Sequence, residues 1–304
     1  MVKLVDTPDL GSGAARCEGS SPFIRTITFL YNSNQLSFYL IQNNFSYIIF
    51  YGVFTMFDDY LHNMVLSDDG SYTAYSKEYD EHYHSTKDGA LNESLLKHIY
   101  PAFEIQQNKD EINILDICYG LGFNTLATLY YHKKNNLKSK LHIYSPELDS
   151  SLVHSLKDFT YPSEFDDFKH IILKLSEDGC YEDEFFHIEV FLGDARKYIK
   201  MFNKSKFDIV YQDAFSPKTN PILWTKEYFY DIKNIIKNDG ILTTYSISLP
   251  TRLALYENGF NIYINSGDGF RNSTVASLSS LDSLKKVDMK HKISCNPDVK
   301  PFMD

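Results

Sequence analysis

The stretch Asp116-Ile-Cys-Tyr-Gly-Leu-Gly-Phe-Asn124 constrains the fold of this chain more than any other. A short apolar run, Ile112–Leu115, precedes it, and a helix-like run, Asn124–His132, comes after it. The pattern is a strand, a glycine turn and a helix. Two glycines let a backbone approach a ligand closely, and the start of a helix offers unpaired N–H groups. In an α/β sheet such a turn is where nucleotide-type ligands bind. A short Gly-x-Gly also serves as a plain tight turn, so features further along the chain have to discriminate.

Strand and helix signals alternate from this point. Strands are predicted at Asn113–Cys118, Leu141–Ser145, His187–Leu192, Phe207–Gln212, Gly240–Ser246, Asn261–Ile264 and Thr274–Leu278. Helices are predicted between them, at Asn124–His132, Ser150–Asp158, Ala195–Phe202, Lys226–Lys237 and Pro250–Asn258. This alternation specifies an α/β fold with a mostly parallel, seven-stranded sheet and helices on both faces. Upstream, Asp58–Ser76 reads as a hairpin around Asp68-Asp69-Gly70, and Leu91–Tyr100 reads as a helix closed by Pro101. The expected units are residues 56–110 (hairpin and helix), 111–280 (catalytic domain) and 281–304 (a basic, solvated tail).

Ligands in such sheets sit outside the carboxyl ends of the strands. Four acids fall there: Asp116 before the glycine turn, Glu147 after the second strand, Asp194 in Gly193-Asp194-Ala195, and Asp213 after the fourth strand. Each alone could be a helix cap; capping does not readily explain all four. An acid where Glu147 stands can accept both hydroxyls of a ribose. The layout resembles that of Rossmann-like class I methyltransferases, which bind S-adenosylmethionine. In that resemblance the cofactor-binding set is Asp116, Gly120, Gly122, Asn124, Glu147, Asp194 and Ala195, and the sheet ends in a hairpin with one antiparallel strand.

The chain has 304 residues and a net charge of −10, so a nucleic-acid partner would need a local basic patch. Its four cysteines are scattered, which predicts a cytoplasmic setting and no metal site. No apolar run is long enough to span a bilayer as a helix.

Residues 1–55 differ from the rest. Between Glu18 and Asp58 the only charged residue is Arg25. Written as codons, Pro8–Gly13 can be cct gat tta gga tca ggt, a stem around a loop carrying tag. Gly13–Cys17 can encode a variable arm, and Gly19–Pro22 can be ggt tcg agt ccc, which contains the T-arm sequence of a tRNA gene. The expectation is that residues 1–55 are a tRNA gene and spacer read as protein, disordered or unpacked against the rest, and that translation starts at Met56.

The segment Asp213-Ala-Phe-Ser-Pro-Lys-Thr-Asn-Pro-Ile-Leu-Trp224 resembles the Asp-x-Phe-x-Pro-x-x-Asn-Pro-x-x-Trp signature of the tRNA 5-methylaminomethyl-2-thiouridine methyltransferases, which act at the wobble uridine. Glu81–Glu93, Thr244-Tyr245-Ser246, Arg252 and Gly259-Phe260 are also similar to that family. The chain departs from it at Cys118, often glycine there, and in the loop Gly267–Thr274. The resemblance implies an S-adenosylmethionine-dependent N-methyltransferase that converts 5-aminomethyl-(2-thio)uridine to its methylaminomethyl form. It implies Asp213 as catalytic base and orienter. Tyr83, Phe215 and Trp224 would stack on the base, while Lys218, Arg252 and Arg271 would meet phosphates. The implied partner is a tRNA anticodon loop. The chain ends too soon for the oxidase domain of the bifunctional members, so a separate flavin-dependent oxidase or aminomethyl-forming enzymes would act upstream. Two other functions fit: an aminopropyltransferase on the same fold, and a non-catalytic nucleotide-binding partner in tRNA modification.

Overall fold

The computed structural model describes Phe57 and residues 61–304 in full, and residues 23–31, 34–43 and 46–53 as backbone strands only. Those three strands, β1 (Phe23–Tyr31), β2 (Asn34–Asn43) and β3 (Ser46–Val53), form an antiparallel sheet of their own. The rest of the 1–55 segment, including its tRNA-like part, lies outside the described residues.

The fully described chain opens with a second small antiparallel sheet, β4 (His62–Leu66), β5 (Tyr72–Ser76) and β6 (Glu81–His82). The hairpin turns where Asp68-Asp69-Gly70 predicted it. A continuous helical stretch comes next: α1 (Ala90–Glu93), one wide i→i+5 turn over Ser94–Ile99, and α2 (Tyr100–Gln106). Pro101 therefore does not close the helix. The wide turn passes the chain through, with Tyr100 N–H donating to the Leu95 carbonyl, and Pro101 sits in the first turn of α2, where its missing N–H costs little.

The main sheet contains β7 (Glu111–Ile117), β8 (Lys140–Glu147), β9 (Cys180–Glu182), β10 (Phe186–Leu192), β11 (Phe207–Gln212), β12 (Ile236–Thr244), β13 (Asn261–Asn265), β14 (Ser273–Ser277) and β15 (Lys285–Lys286). Their order across the sheet is β15-β13-β14-β12-β11-β7-β8-β10-β9. The seven expected strands are all present. Two short edge strands, β9 and β15, raise the count to nine, and both pair antiparallel. β10, β8, β7, β11 and β12 run parallel, and β14 enters antiparallel between β12 and β13.

Helices α3 (Phe123–Lys134), α4 (Ser150–Ser155), α5 (Lys169–Asp178), α6 (Ala195–Ile199), α7 (Lys226–Ile235), α8 (Leu249–Glu257) and α9 (Met289–Cys295) complete the fold. Alternation along each strand creates two cores. Ile209, Tyr211, Ile241 and Val275 face one with Phe103, Phe123 and Leu175, while Val210, Leu242 and Ala276 face the other with Phe229, Ile232 and Leu253. Helix α5 is absent from the sequence-based expectation, although Ile171, Ile172 and Leu175 place an apolar stripe on one face.

Most residues of the tail are exposed, but the segment is anchored to the domain. Val287 and Met289 are buried, the Phe302 carbonyl accepts the Lys226 N–H, and both Asp304 carboxylate oxygens accept from the Arg196 guanidinium, at 2.6 and 2.7 Å. Lys285 and Lys286 form the edge strand β15, and Val287 and Met289 join the second core.

Candidate active site

The chain runs from β7 outward to β8 and β10, then returns to place β11 on the other side of β7. This reversal opens a crevice at the carboxyl ends of the strands. A cavity of about 550 Å³ fills it. Every central strand end contributes to its wall: Cys118–Leu121 after β7, Glu147 at the end of β8, Gly193–Ala195 after β10, Asp213 after β11 and Tyr245 after β12. The small N-terminal sheet and the loop after it close the front with Tyr79, Tyr83, His84 and Ser85.

Gly120 (φ +53°) and Gly122 (φ +74°) are both left-handed, as the turn requires. Their surroundings differ. A Cβ at Gly120 would meet the Tyr83 ring at 3.2 Å, inside the cavity wall. One at Gly122 would strike the Tyr119 ring at 2.9 Å. Gly122 is not among the residues lining the cavity, and its left-handed φ serves the turn. Cys118 is also left-handed, with φ 68°, a conformation costly for a residue with a side chain.

Glu147 spans the turn. Its Oε2 accepts the Gly120 N–H at 2.8 Å and its Oε1 accepts the Asp149 N–H at 2.9 Å. Burial raises its pKa, and the backbone N–H groups of Asp149, Gly120 and Leu148 work against that rise. Each carboxylate oxygen retains acceptor capacity toward the cavity. Asp194 caps α6, accepting the Lys197 N–H at 2.9 Å, and also lines the cavity beside Ala195. Capping and lining coexist here.

Asp116 is fully buried and is not part of the wall. Its carboxylate accepts from Thr125 Oγ1 at 2.9 Å and Asn124 Nδ2 at 3.3 Å, fastening the first turn of α3 to β7. Burial pushes its pKa up to about 7. It supports the site through Asn124, which does line the cavity and whose Oδ1 is a buried acceptor with no protein partner. Asp213 faces the cavity with Oδ2 accepting from Asn124 Nδ2 at 2.8 Å and Oδ1 3.5 Å from His98 Nε2. Burial favours its neutral form, but interaction with His98, then with His84 and Asn124, holds its pKa at about 2.

Of the expected substrate residues, Tyr83, Phe215 and Arg271 line the cavity. The rings of Tyr79 and Tyr83 each lie 5.0 Å from Phe215, forming an aromatic rim. Trp224 is fully buried; its Nε1–H donates to the Phe215 carbonyl at 2.8 Å, so it shapes the loop and does not stack on a ligand. Arg252 turns its Nε toward Thr274 Oγ1 at 3.0 Å, and Lys218 is exposed outside the wall. Sequence reasoning missed Glu81, which accepts from both Ser216 N–H and Oγ–H at 3.0 and 2.9 Å and so ties the N-terminal sheet to the loop after Asp213. It also missed His98. Glu81 stands in the family-like segment Glu81–Glu93, but no local pattern shows the role of either residue, because their partners lie 135 and 115 positions away.

Residues 168–279 match the model of a family described as S-adenosyl-L-methionine-dependent methyltransferase. The crystal structure of MNMC2 from Aquifex aeolicus superposes with a TM-score of 0.71 at 34% identity, covering 80% of this chain and 79% of that one. The chain belongs to the S-adenosyl-L-methionine-dependent methyltransferases of the MnmC2 type. An uncharacterised protein of Methanocaldococcus jannaschii is 32% identical over 66% of this chain and 55% of its own length. The tRNA 5-methylaminomethyl-2-thiouridine biosynthesis bifunctional protein MnmC of Pseudoalteromonas atlantica is 24% identical over 71% of this chain. The chain spans about half and about a third of these two relatives.

The family's cofactor suits the cavity. Glu147 supplies a charged acceptor at the second strand end, Asn124 an acceptor without a protein partner, and Gly120 a place where a side chain would crowd Tyr83. Family membership makes the protein an S-adenosylmethionine-dependent enzyme and sets aside the non-catalytic alternative. Among the described residues, no helix is long and apolar enough to cross a membrane, and no cluster of metal-ligating side chains occurs.

Proposed function

We propose that the protein N-methylates the primary amine of 5-aminomethyl-(2-thio)uridine at the tRNA wobble position. The observation that carries this reading is the placement of Asp213, an ionised carboxylate at the inner wall of a cavity whose outer rim is aromatic. An acid at depth suits a cationic or cation-forming group, and an aromatic rim suits a planar base. The anticodon loop is single-stranded, so its base can reach such a cavity without opening a duplex. Relatedness to MnmC supports the same substrate.

Bound S-adenosylmethionine would supply an activated methyl group, passing it to the amine lone pair while the electron pair of the broken C–S bond stays on sulfur. Glu147, Asn124, Gly120, Asp194 and Ala195 would hold the cofactor. Tyr83 and Phe215 would stack on the uracil, and Arg271 at the exposed edge would meet a phosphate. Asp213 would receive the amine and fix its direction, since catalysis of this displacement is chiefly positioning.

The test is single-turnover methyl transfer to tRNA carrying 5-aminomethyl-2-thiouridine, read by nucleoside mass spectrometry. Formation of the methylaminomethyl nucleoside is the expected result. A protein that binds S-adenosylmethionine but leaves this tRNA unmodified would overturn the reading. Transfer of an aminopropyl group from decarboxylated S-adenosylmethionine to a small polyamine would favour the aminopropyltransferase alternative.

A further inference from the structure

We propose that His98 and Asn124 clamp Asp213 as a fixed negative charge that stabilises the ammonium forming on the substrate amine, with His98 as a positioning residue. This rests on the amine-methylation reading above.

His98 lies in the wide helical turn and is fully buried. Its Nδ1 is 2.9 Å from Thr243 Oγ1, and its ring packs edge-on to Tyr211. Its Nε2 has no closer polar partner than Asp213 Oδ1 at 3.5 Å. If the threonine hydroxyl donates to Nδ1, Nε2 carries the ring proton. If the hydroxyl instead accepts from Nδ1–H, a neutral ring turns a bare lone pair toward the carboxylate, which repulsion disfavours. The favoured tautomer therefore places an N–H on the side of Asp213. The other oxygen, Oδ2, already accepts from Asn124 at 2.8 Å. Each carboxylate oxygen thus faces a protein donor from a different element, which fixes the plane of the group and lowers its appetite for a proton. The remaining titratable neighbours are His84 from the loop after β6, Asp116 behind Asn124, Cys118 on the turn and Tyr245 after β12.

A carboxylate held this way is a poor general base, yet it is well suited to offset positive charge. Methylation of a neutral amine creates an ammonium, and a preorganised charge aimed at it stabilises the transition state without reorganisation. The amine enters neutral, and its extra proton leaves to water after transfer.

The experiment is single-turnover methylation at saturating tRNA and S-adenosylmethionine, from about pH 7 to about pH 10. Asp213→Asn should be slower by about a hundredfold or more, and the deficit should persist at high pH, where the amine is neutral without help. A deficit that vanishes at high pH means that Asp213 is a base, and the proposal fails. His98→Leu should slow transfer about tenfold or more, with cofactor affinity within about threefold. His98→Gln, which keeps an N–H near the Nε2 position, should recover most of the rate. Equal rates for the Leu and Gln variants would overturn the positioning role. Nitrogen-15 spectra of His98 in the unmutated protein give a substrate-independent readout. A protonated Nε2 is expected, and its absence refutes the clamp even if the Leu variant fails to fold. If the unmutated protein leaves the tRNA unmethylated while Nε2 is protonated, the substrate assignment fails and the clamp stands.

Discussion

The Gly120 N–H donates to Glu147 Oε2 at 2.8 Å, so the acid at the end of β8 ties down the glycine turn at the end of β7. A ribose acceptor and the turn beside it are thereby one unit. Glu147→Ala should weaken S-adenosylmethionine binding by about 1–3 kcal/mol, through loss of a charged acceptor and loosening of the turn. Isothermal calorimetry measures this, and unchanged affinity would remove Glu147 from the site.

Asp116→Asn should stabilise the protein near neutral pH. Its carboxyl titrates at about 7 in the fold against 3.8 ordinarily. A folded-state pKa raised in this way favours folding below about pH 4, and that contribution is lost as pH rises to about 7, at a cost of up to about 4 kcal/mol. Asparagine can accept from Asn124 and donate to Thr125 without ionising. Urea melts of parent and variant should therefore diverge between about pH 4 and pH 7, with the variant more stable at the upper end. Parallel curves would show that Asp116 ionises freely in the fold.

Cys118→Gly should leave stability unchanged or raise it by about 1 kcal/mol. Relief of a left-handed backbone gains about 1–2 kcal/mol, and the greater freedom of unfolded glycine takes back about 0.4–1. Destabilisation by more than about 1 kcal/mol in chemical denaturation would mean that the thiol packing outweighs the strain.

A chain begun at Met56 should match the full-length protein in thermal stability and cofactor affinity. Phe57, the next residue, is already a core residue, its ring 4.5 Å from Phe159. Intact mass of the natively expressed protein gives the second check, since retention of residues 1–55 contradicts the tRNA-gene reading of that segment.

The features legible in the sequence were those that local pattern encodes. Alternating apolar runs placed the seven strands, and with them the acids at or just beyond their carboxyl ends. Function-bearing residues whose geometry depends on distant partners were not legible. Asp116 and Asp213 look alike in sequence, yet one is buried behind Asn124 and the other faces the cavity. Trp224 and Arg252 have plausible chemistry for a nucleic acid and are spent on the Phe215 carbonyl and Thr274 instead. Pro101 misled because the wide turn before it depends on how Lys97 and His98 are both satisfied inside the protein.

That turn has a consequence for how the family can vary. Lys97 donates to Asp88 and Glu93, while the next residue, His98, addresses Thr243 and Asp213. Both neighbours point inward because the segment Ser94–Ile99 holds one residue more per turn than an ordinary helix would. Deleting one of the six would return the segment to ordinary i→i+4 winding, with the flanking helices in about the same phase but with one residue fewer to turn inward between them. The adjacent pair Lys97 and His98 could then not both keep their present directions. The length of this segment, more than the identity of its apolar residues, is what the active site requires, so a relative one residue shorter here would have to hold its strand-end aspartate by other means.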